Sequence, residues 1–305
     1  MIKINSSRLY AKTKKSFLIN LIPLAIAATI SQPAYSIDVD AGDYTALPVG
    51  TNLAVLYYQN ASRDSMYSQG AKAAGNNKLD SDVGILRGVH FMELGGYTID
   101  PQFLLPFGNL DAGGDLDSVL GEESGVGDLI LASTIWLVNK PAENTYFGLT
   151  PYLYVPTGTY DHNETLNLGE NRWKFALQAG YITNITDKIA FDIAADVTYF
   201  GDNDEFGAGK ATLKQEPAYQ LQSYLRYQIN PSWDIRAGIS QSWGGETEVN
   251  GVKQNDEAEI TKASLGTSYF VAPDLQLMVN YGQDLDVENG FKEDHRLNFR
   301  LLKVF

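Results

Sequence analysis

Residues Arg172 to Tyr199 carry a pattern that few folds accommodate. In Arg172-Trp173-Lys174-Phe175-Ala176-Leu177-Gln178-Ala179-Gly180-Tyr181, apolar residues alternate with polar or small ones. After a turn at Asn184-Ile185-Thr186-Asp187-Lys188 the alternation resumes. Phe191, Ile193, Ala195, Val197 and Tyr199 share one face, and Asp192, Asp196 and Thr198 the other. Side chains of a strand point alternately to its two faces, so period two predicts strands, and the short turn predicts a β-hairpin. Each run holds about 10 residues, the length a tilted strand needs to cross a bilayer. The expected unit is one hairpin of a membrane-spanning barrel.

The rest of the chain repeats that unit. Further strands are predicted at Thr51–Gln59, Val83–Met92, Tyr97–Leu105, Asp128–Val138, Tyr146–Val155, Tyr219–Gln228, Trp233–Trp243, Thr261–Val271, Leu275–Asp284 and Arg296–Phe305. Short turns fall at Glu93–Gly96, Asn139–Asn144, Thr183–Asp187, Asn230–Ser232 and Ala272–Asp274. Between them lie polar loops at Asn60–Ser81, Gly108–Val126, Gly158–Asn171, Gly201–Glu216, Gly244–Glu257 and Asp286–Asp294. Short and long connections in strict turn are what outer-membrane barrels show, with periplasmic turns and extracellular loops. The predicted fold is all-β: an antiparallel transmembrane β-barrel of about 12 strands, both chain ends periplasmic.

Aromatic residues near strand ends agree with two membrane interfaces. Tyr181, Trp233, Phe270 and Phe305 are expected near one rim, and Tyr58, Tyr146, Tyr160, Trp173, Tyr199 and Trp243 near the other. Arg87 shares strand parity with Val83, Ile85, Val89 and Phe91, which points it at lipid. A charge there is costly, so the expectation is a register break near Gly84 or Gly88, or snorkelling. Pro101 and Pro151 fall inside strands and predict bulges or strand borders, because proline cannot donate to a ladder.

The N-terminus sets the compartment. Lys3, Arg8, Lys12, Lys14 and Lys15 precede any acidic residue, and an apolar run from Phe17 to Ile30 follows, interrupted by Asn20 and Pro23. Ala34-Tyr35-Ser36 supplies a small-x-small cleavage site, so residues 1–36 read as a secretory signal peptide and 37–305 as the barrel. Without the leader's five basic residues the balance is 18 basic against 37 acidic, a net of −19. Such acidity argues against binding nucleic acid or anionic lipid through a basic patch. With no cysteine, disulfides and thiolate metal sites are also excluded.

Four short segments open or flank the strands: Leu47-Pro48-Val49-Gly50-Thr51-Asn52, Gly127-Asp128-Leu129, Pro156-Thr157-Gly158-Thr159-Tyr160-Asp161 and Leu168-Gly169-Glu170-Asn171-Arg172-Trp173. In this order they resemble the outer-membrane proteins grouped as the MetA-pathway phenol degradation family. The resemblance implies a barrel fold and uptake of hydrophobic or aromatic compounds, and it carries no catalytic residues. Phe305, with Leu301, Phe299 and Leu297 alternating behind it, looks like the aromatic C-terminal signal read by the outer-membrane assembly machinery. Lys303 departs from the apolar residue usual at its spacing.

Strand parity lines the lumen with Lys174, Gln178, Asp192, Asp196, Gln220, Gln222, Arg226, Asp234, Arg236, Asn280, Asn298 and Arg300. These are the pore candidates, a polar path tuned by both charge signs. The alternative is a packed interior in which Arg and Asp pair across strands and close the lumen. Three functions follow: a channel for small hydrophobic or aromatic molecules, a plugged structural or surface-interaction barrel, and an outer-membrane hydrolase. The last is disfavoured, because none of His90, His162 and His295 has a serine two residues away on its strand face. Asp161-His162 and Asp294-His295 remain its candidate acid–base pairs. Asp202-Asn203-Asp204-Glu205-Phe206-Gly207 starts like a calcium loop but puts Phe206 at a ligand position and Leu213 at the final acidic one. No metal site or cofactor is expected. The expected partners are outer-membrane lipids and lipopolysaccharide, the assembly machinery and a small-molecule permeant, with no nucleic acid.

Overall fold

The computed structural model describes residues 38–305, so the predicted signal peptide lies outside the described residues. Twelve long antiparallel strands form one closed ring. They are β1 (Asn52–Arg63), β2 (Asn77–His90), β3 (Tyr97–Gly114), β4 (Leu129–Lys140), β5 (Thr145–Val155) and β6 (Lys174–Thr186). The second half comprises β7 (Ile189–Phe200), β8 (Ala218–Asn230), β9 (Trp233–Gly244), β10 (Ala258–Ala272), β11 (Leu275–Val287) and β12 (His295–Val304). Each strand pairs with its sequence neighbours, and β1 closes the ring against β12 from Leu53↔Val304 to Ser62↔His295.

The period-two pattern sorts side chains inside out relative to a soluble protein. On β6, outward Phe175 is 44 % exposed whereas inward Gln178 is 0 % exposed. Leu221, Leu225, Ile235, Ile239, Leu265 and Leu277 also stand on the outer surface. Apolar surface outside and buried polar groups inside are stable only where the surrounding solvent is lipid. Aromatics close both ends of this band. Tyr219 and Trp243 stack with ring centroids 5.8 Å apart toward the long loops, and Trp233 meets Tyr269 edge-on at 6.3 Å toward the short turns.

Four sequence expectations are revised. Much of Asn60–Ser81 and Gly108–Val126 is strand rather than loop, because β1, β2 and β3 run on past the membrane. Arg87 needs no register break: the β1–β2 and β2–β3 ladders run unbroken through it. Its whole face, with Ile85 and Val89, is lumenal; Arg87 donates to Gln102, Tyr57 and Asp43. The outward residues here are instead Gly84 and Gly88, which leave room for the Phe107 and Phe103 rings to lie over them. Tyr146 sits next to a short turn, buried in the lumen at 4 % exposure, not at the outer rim.

The two prolines do mark ladder gaps. β2–β3 pairing stops at Val89↔Gln102, and pairing to β3 resumes only at Met92↔Ile99, from the short strand Met92–Leu94, beside Pro101. β4–β5 pairing skips from Ala132↔Tyr152 to Ile135↔Leu149, across Pro151. In that second gap the Thr134 N–H turns inward and donates to Asp100 at 2.5 Å.

The long loops are built rather than loose. Asn203–Phe206, Ala211–Gln215, Thr247–Val249 and Val252–Lys253 form one small sheet around Phe206, Leu213 and Val249. Ser65–Ser68, Ala71–Lys72 and Gly290–Lys292 form another. Leu166, from the loop after β5, packs with Leu79, Leu110, Leu116 and Leu120 beneath the outer mouth.

Candidate functional site: a plugged lumen

The segment Asp38–Thr51, which precedes β1, enters the barrel and occupies its centre. The short acidic sequence Asp38-Val39-Asp40-Ala41-Gly42-Asp43-Tyr44 explains how a lumen lined with charge can hold a chain. Each of its three carboxylates meets an arginine of the wall. Arg296 Nη1 lies 2.8 Å from Asp38, and Arg300 Nη1 lies 3.0 Å from Asp40 and 2.8 Å from Asp43. Asp43 also accepts from Arg87 at 3.0 Å, so one carboxylate ties β2 to β12. Charge-assisted bonds of this length are the strong kind, and at Asp40 and Asp43 burial limits competing water.

Backbone groups are satisfied in the same way. Gly42 N–H donates to Asp192 at 2.6 Å, and Val39 N–H donates to Gln222 at 3.1 Å. Arg236 donates to the Ala41 carbonyl at 2.8 Å, Tyr224 to the Val39 carbonyl at 2.9 Å, and Trp136 Nε1 to the Tyr44 carbonyl at 3.0 Å. A buried irregular segment is tolerable only when its polar groups find partners, and the wall supplies them.

Tyr44 is the apolar anchor. Its ring lies across Gly180 of β6 and Gly148 of β5, which are directly opposed in register. A Cβ on Gly180 would stand 2.1 Å from the ring, and one on Gly148 would stand 3.1 Å from it. The Tyr44 hydroxyl donates to Gln178 Oε1 at 3.0 Å and lies 2.9 Å from Thr150 Oγ1. Phe91, Trp136, Ile182 and Ala194 complete the packing around it.

All twelve predicted pore candidates face inward, and most touch the plug or one another. Gln178 donates to Asp196 at 3.0 Å, and Gln222 donates to Gln220 at 2.6 Å. Gln220 and Asn280 reach Asp38 and Asp40 at 3.0 and 3.2 Å. Arg226 forks onto Asp192 at 2.9–3.2 Å, and Arg236 onto Asp234 at 2.7–2.9 Å. Arg300 also donates to Gln276 at 2.8 Å, and Asn298 lines the cavity on the extracellular side of the plug. Lys174 lies apart at the loop end, ion-paired with Glu170 and 4.4 Å from the Tyr154 ring centroid.

Two spaces remain. A cavity of about 140 Å³ lies beside Asp38, Tyr57 and Arg87. On the periplasmic side a larger one of about 550 Å³ has two unlike walls. One wall is apolar, from Leu47, Leu53, Val55, Val89, Phe91 and Leu302; the other carries Arg226, Asp234, Arg236 and Arg300. Strand parity could not find the plug, since its residues belong to no strand. The signal available was compositional: three aspartates in six residues, just before a lumen rich in arginine.

In the loops, Glu170 accepts from Arg172 at 2.6 Å and from Lys174, next to the backbone turn that Asp128 closes by accepting from Gly158 and Glu170 N–H. Burial opposes ionisation of Glu170, but Lys174 and Arg172 outweigh it and hold the carboxyl below its ordinary 4.5. Burial raises Asp256, partly offset by bonds from the Thr247 hydroxyl and N–H. The suspected calcium-loop residues have protein partners: Asp204 accepts from Thr212, Glu205 from Lys210, and Asp202 lies 3.7 Å from Lys214. His90 contacts Asn52 and His295 contacts Tyr281, at 2.8 and 2.7 Å. Asp161 and His162 stand 3.8 Å apart at the surface.

The family model described as MetA-pathway of phenol degradation matches residues 62–301. No curated protein matches the chain significantly. Among solved structures, the COG4313 outer membrane channel from Pseudomonas putida F1 is 43 % identical, with a TM-score of 0.85 over 88 % of this chain and 100 % of that one. The transport unit of the autotransporter AIDA-I from Escherichia coli shares 6 % identity, with a TM-score of 0.50 over 92 % of this chain and 96 % of that one. The beta domain of the Bordetella autotransporter BrkA shares 10 % identity, also at 0.50, over 85 % and 100 %. The autotransporter matches reflect the barrel architecture alone; the family match and the close structural relative go further. This chain is an outer-membrane β-barrel that belongs to the MetA-pathway phenol degradation family.

Proposed function

We propose that the protein is an outer-membrane channel passing small hydrophobic or aromatic compounds into the periplasm, with the Asp38–Thr51 segment as its internal gate. The observation that carries this reading is the two-walled periplasmic cavity directly below the plug. Its apolar wall suits the body of an aromatic compound, and its guanidinium wall gives polar orientation, the usual make-up of a small-molecule site. The gate is held by separate ion pairs and hydrogen bonds rather than by continuous β-pairing, so it can leave without opening the ring. The predicted pore candidates, from Lys174 to Arg300, then serve as the wall that the departing plug uncovers.

The reading includes Sec-type export with cleavage near Ser36, residence among outer-membrane lipids and lipopolysaccharide, and assembly through the Phe305 strand. It needs no catalysis. A plugged structural barrel is the competing reading, favoured by the number of charged contacts on the plug. Proteoliposomes separate the two. Channel function predicts entry of toluene or benzoate faster than into protein-free vesicles, and faster still after deletion of residues 38–45. Equal entry in all three would leave the structural barrel.

A further inference from the structure

We infer that Arg87 and Arg300 form a binding site for the carboxylate of an entering solute, held at rest by the plug's own Asp43. The inference deepens the channel reading and rests on it in one respect, that the cavities admit a solute. The lumenal arginines divide by what balances their charge. Arg226 pairs with Asp192 and Arg236 with Asp234, both carboxylates of the wall. Arg296 has Glu293 of the wall at 3.4 Å as well as Asp38 of the plug. Among the described residues, Arg87 and Arg300 form ion pairs only with the plug, the first with Asp43 and the second with Asp40 and Asp43. Asp100, which lines the periplasmic cavity with them, accepts instead from Thr134 N–H and from Gln102. When the plug leaves, these two guanidinium groups lose every carboxylate they pair with, and a buried charge left so is costly. An anion that takes the place of Asp43 restores the balance.

The geometry fixes the kind of anion. Arg87 and Arg300 stand on β2 and β12, on either side of β1, opposite Val55 and Tyr57 in register. The wall itself aims both. Arg87 donates to Gln102 at 2.8 Å and to the Tyr57 hydroxyl at 3.0 Å, and Arg300 donates to Gln276 at 2.8 Å. Between them the Asp43 carboxylate is shared, Oδ2 accepting from Arg87 at 3.0 Å and Oδ1 from Arg300 at 2.8 Å. Two oxygens of one planar group, each taken by a different guanidinium, suit a carboxylate. Asp43, Tyr57 and Arg87 line both cavities, so the junction is reached from either side of the plug. Beside the arginines the periplasmic cavity offers Leu53, Val55, Val89 and Leu302. The solute class that fits both features is a monocarboxylate with a compact apolar body, aliphatic or aromatic. Such a solute competes with Asp43 for its two arginines, and so loosens the plug that bars its way.

The test is calorimetry at neutral pH on the full-length protein in detergent, with benzoate, hexanoate and the neutral benzamide as probes. Asp43→Ala removes the resident carboxylate and leaves both arginines. This variant should bind benzoate about a hundredfold more tightly than benzamide, as two charge-assisted bonds allow. Hexanoate should bind as benzoate does, since the carboxylate and not the ring is recognised. Wild type, in which Asp43 competes, should bind both acids about tenfold more weakly. Adding Arg87→Gln or Arg300→Gln to Asp43→Ala should cost about tenfold in benzoate affinity and leave benzamide unchanged. Absence of benzoate binding to Asp43→Ala, equal affinity for benzamide, or benzoate binding indifferent to the arginine changes would each overturn the site. If Asp43→Ala does not assemble, wild type is read by hydrogen exchange instead. Benzoate, and not benzamide, should then speed exchange across residues 38–45; identical exchange with the two probes would overturn the site. Entry of benzoate into proteoliposomes is measured separately. Binding without entry supports the site and removes the channel reading, whereas entry without binding removes only the site.

Discussion

Asp43 concentrates the energetics of the plug in one side chain. It joins Arg87 and Arg300, and its loss leaves two buried guanidinium groups each short of a partner. Removing one member of a buried pair costs about 3–5 kcal/mol, most of it from the charge left behind. Asp43→Asn should therefore weaken the plug without touching the outer face, and planar-bilayer recordings should show longer open times than wild type. Gly180→Ala alone acts by crowding: its methyl would meet the Tyr44 ring. Overpacking of this kind costs about 1–3 kcal/mol, so the heat-modifiable band on a gel should convert at a lower temperature. At this scale the sequence was legible wherever parity applies. Lys174, Gln178 and Arg236 were placed inward from alternation alone. Arg87 was misread because apolar neighbours on its face suggested lipid. The inner side of β2 is mostly apolar around Arg87, with Val83, Ile85 and Val89 beside it, and period two reports sidedness but not which side is wet.

Among elements, the surprise lies in the loops. Composition marked them as polar, and two small sheets proved to run through them, because pairing between distant loops leaves no local periodicity. Leu213 of the first sheet packs on Phe206 and Val249. Leu213→Ala should cost about 2–5 kcal/mol locally and make 201–216 the first site of limited proteolysis. The loop before β6 responds to acid instead. Glu170 is ionised more easily in the folded loop than in the unfolded chain, so it stabilises the loop fully above 4.5 and loses that contribution as the pH falls through its lower folded value. Hydrogen exchange across residues 156–173 should accelerate over that interval in wild type. In Glu170→Gln it should be fast throughout and nearly independent of protonation.

For the molecule as a whole, the turn-and-loop alternation was enough to predict a closed ring, since hairpins of that asymmetry have one common solution. The orientation of the outer face follows from the same pattern and can be checked on Leu225, which stands midway along β8. Leu225→Arg should destabilise the barrel by about 2–4 kcal/mol in a urea titration in lipid. Nothing in the strand pattern foretold that the interior would be filled by the chain's own Asp38–Thr51 segment.

That filling has a consequence for assembly. The plug is continuous with β1, and β1 joins β12 only when the first and last strands meet, with Asn52 and Phe305 exchanging backbone hydrogen bonds of 3.3 and 2.9 Å at the seam. Contacts between segments so far apart in sequence form late, because their loop-closure cost is high. The closing strand therefore carries its own cargo: residues 38–45 must already lie within the curved sheet when the last seam zips. A chain whose plug arrives afterwards has to find a way past Leu166 or the periplasmic rim. Refolding should then divide into a fast population that encloses the segment and a slow one that threads it, and deleting the segment should abolish the slow phase.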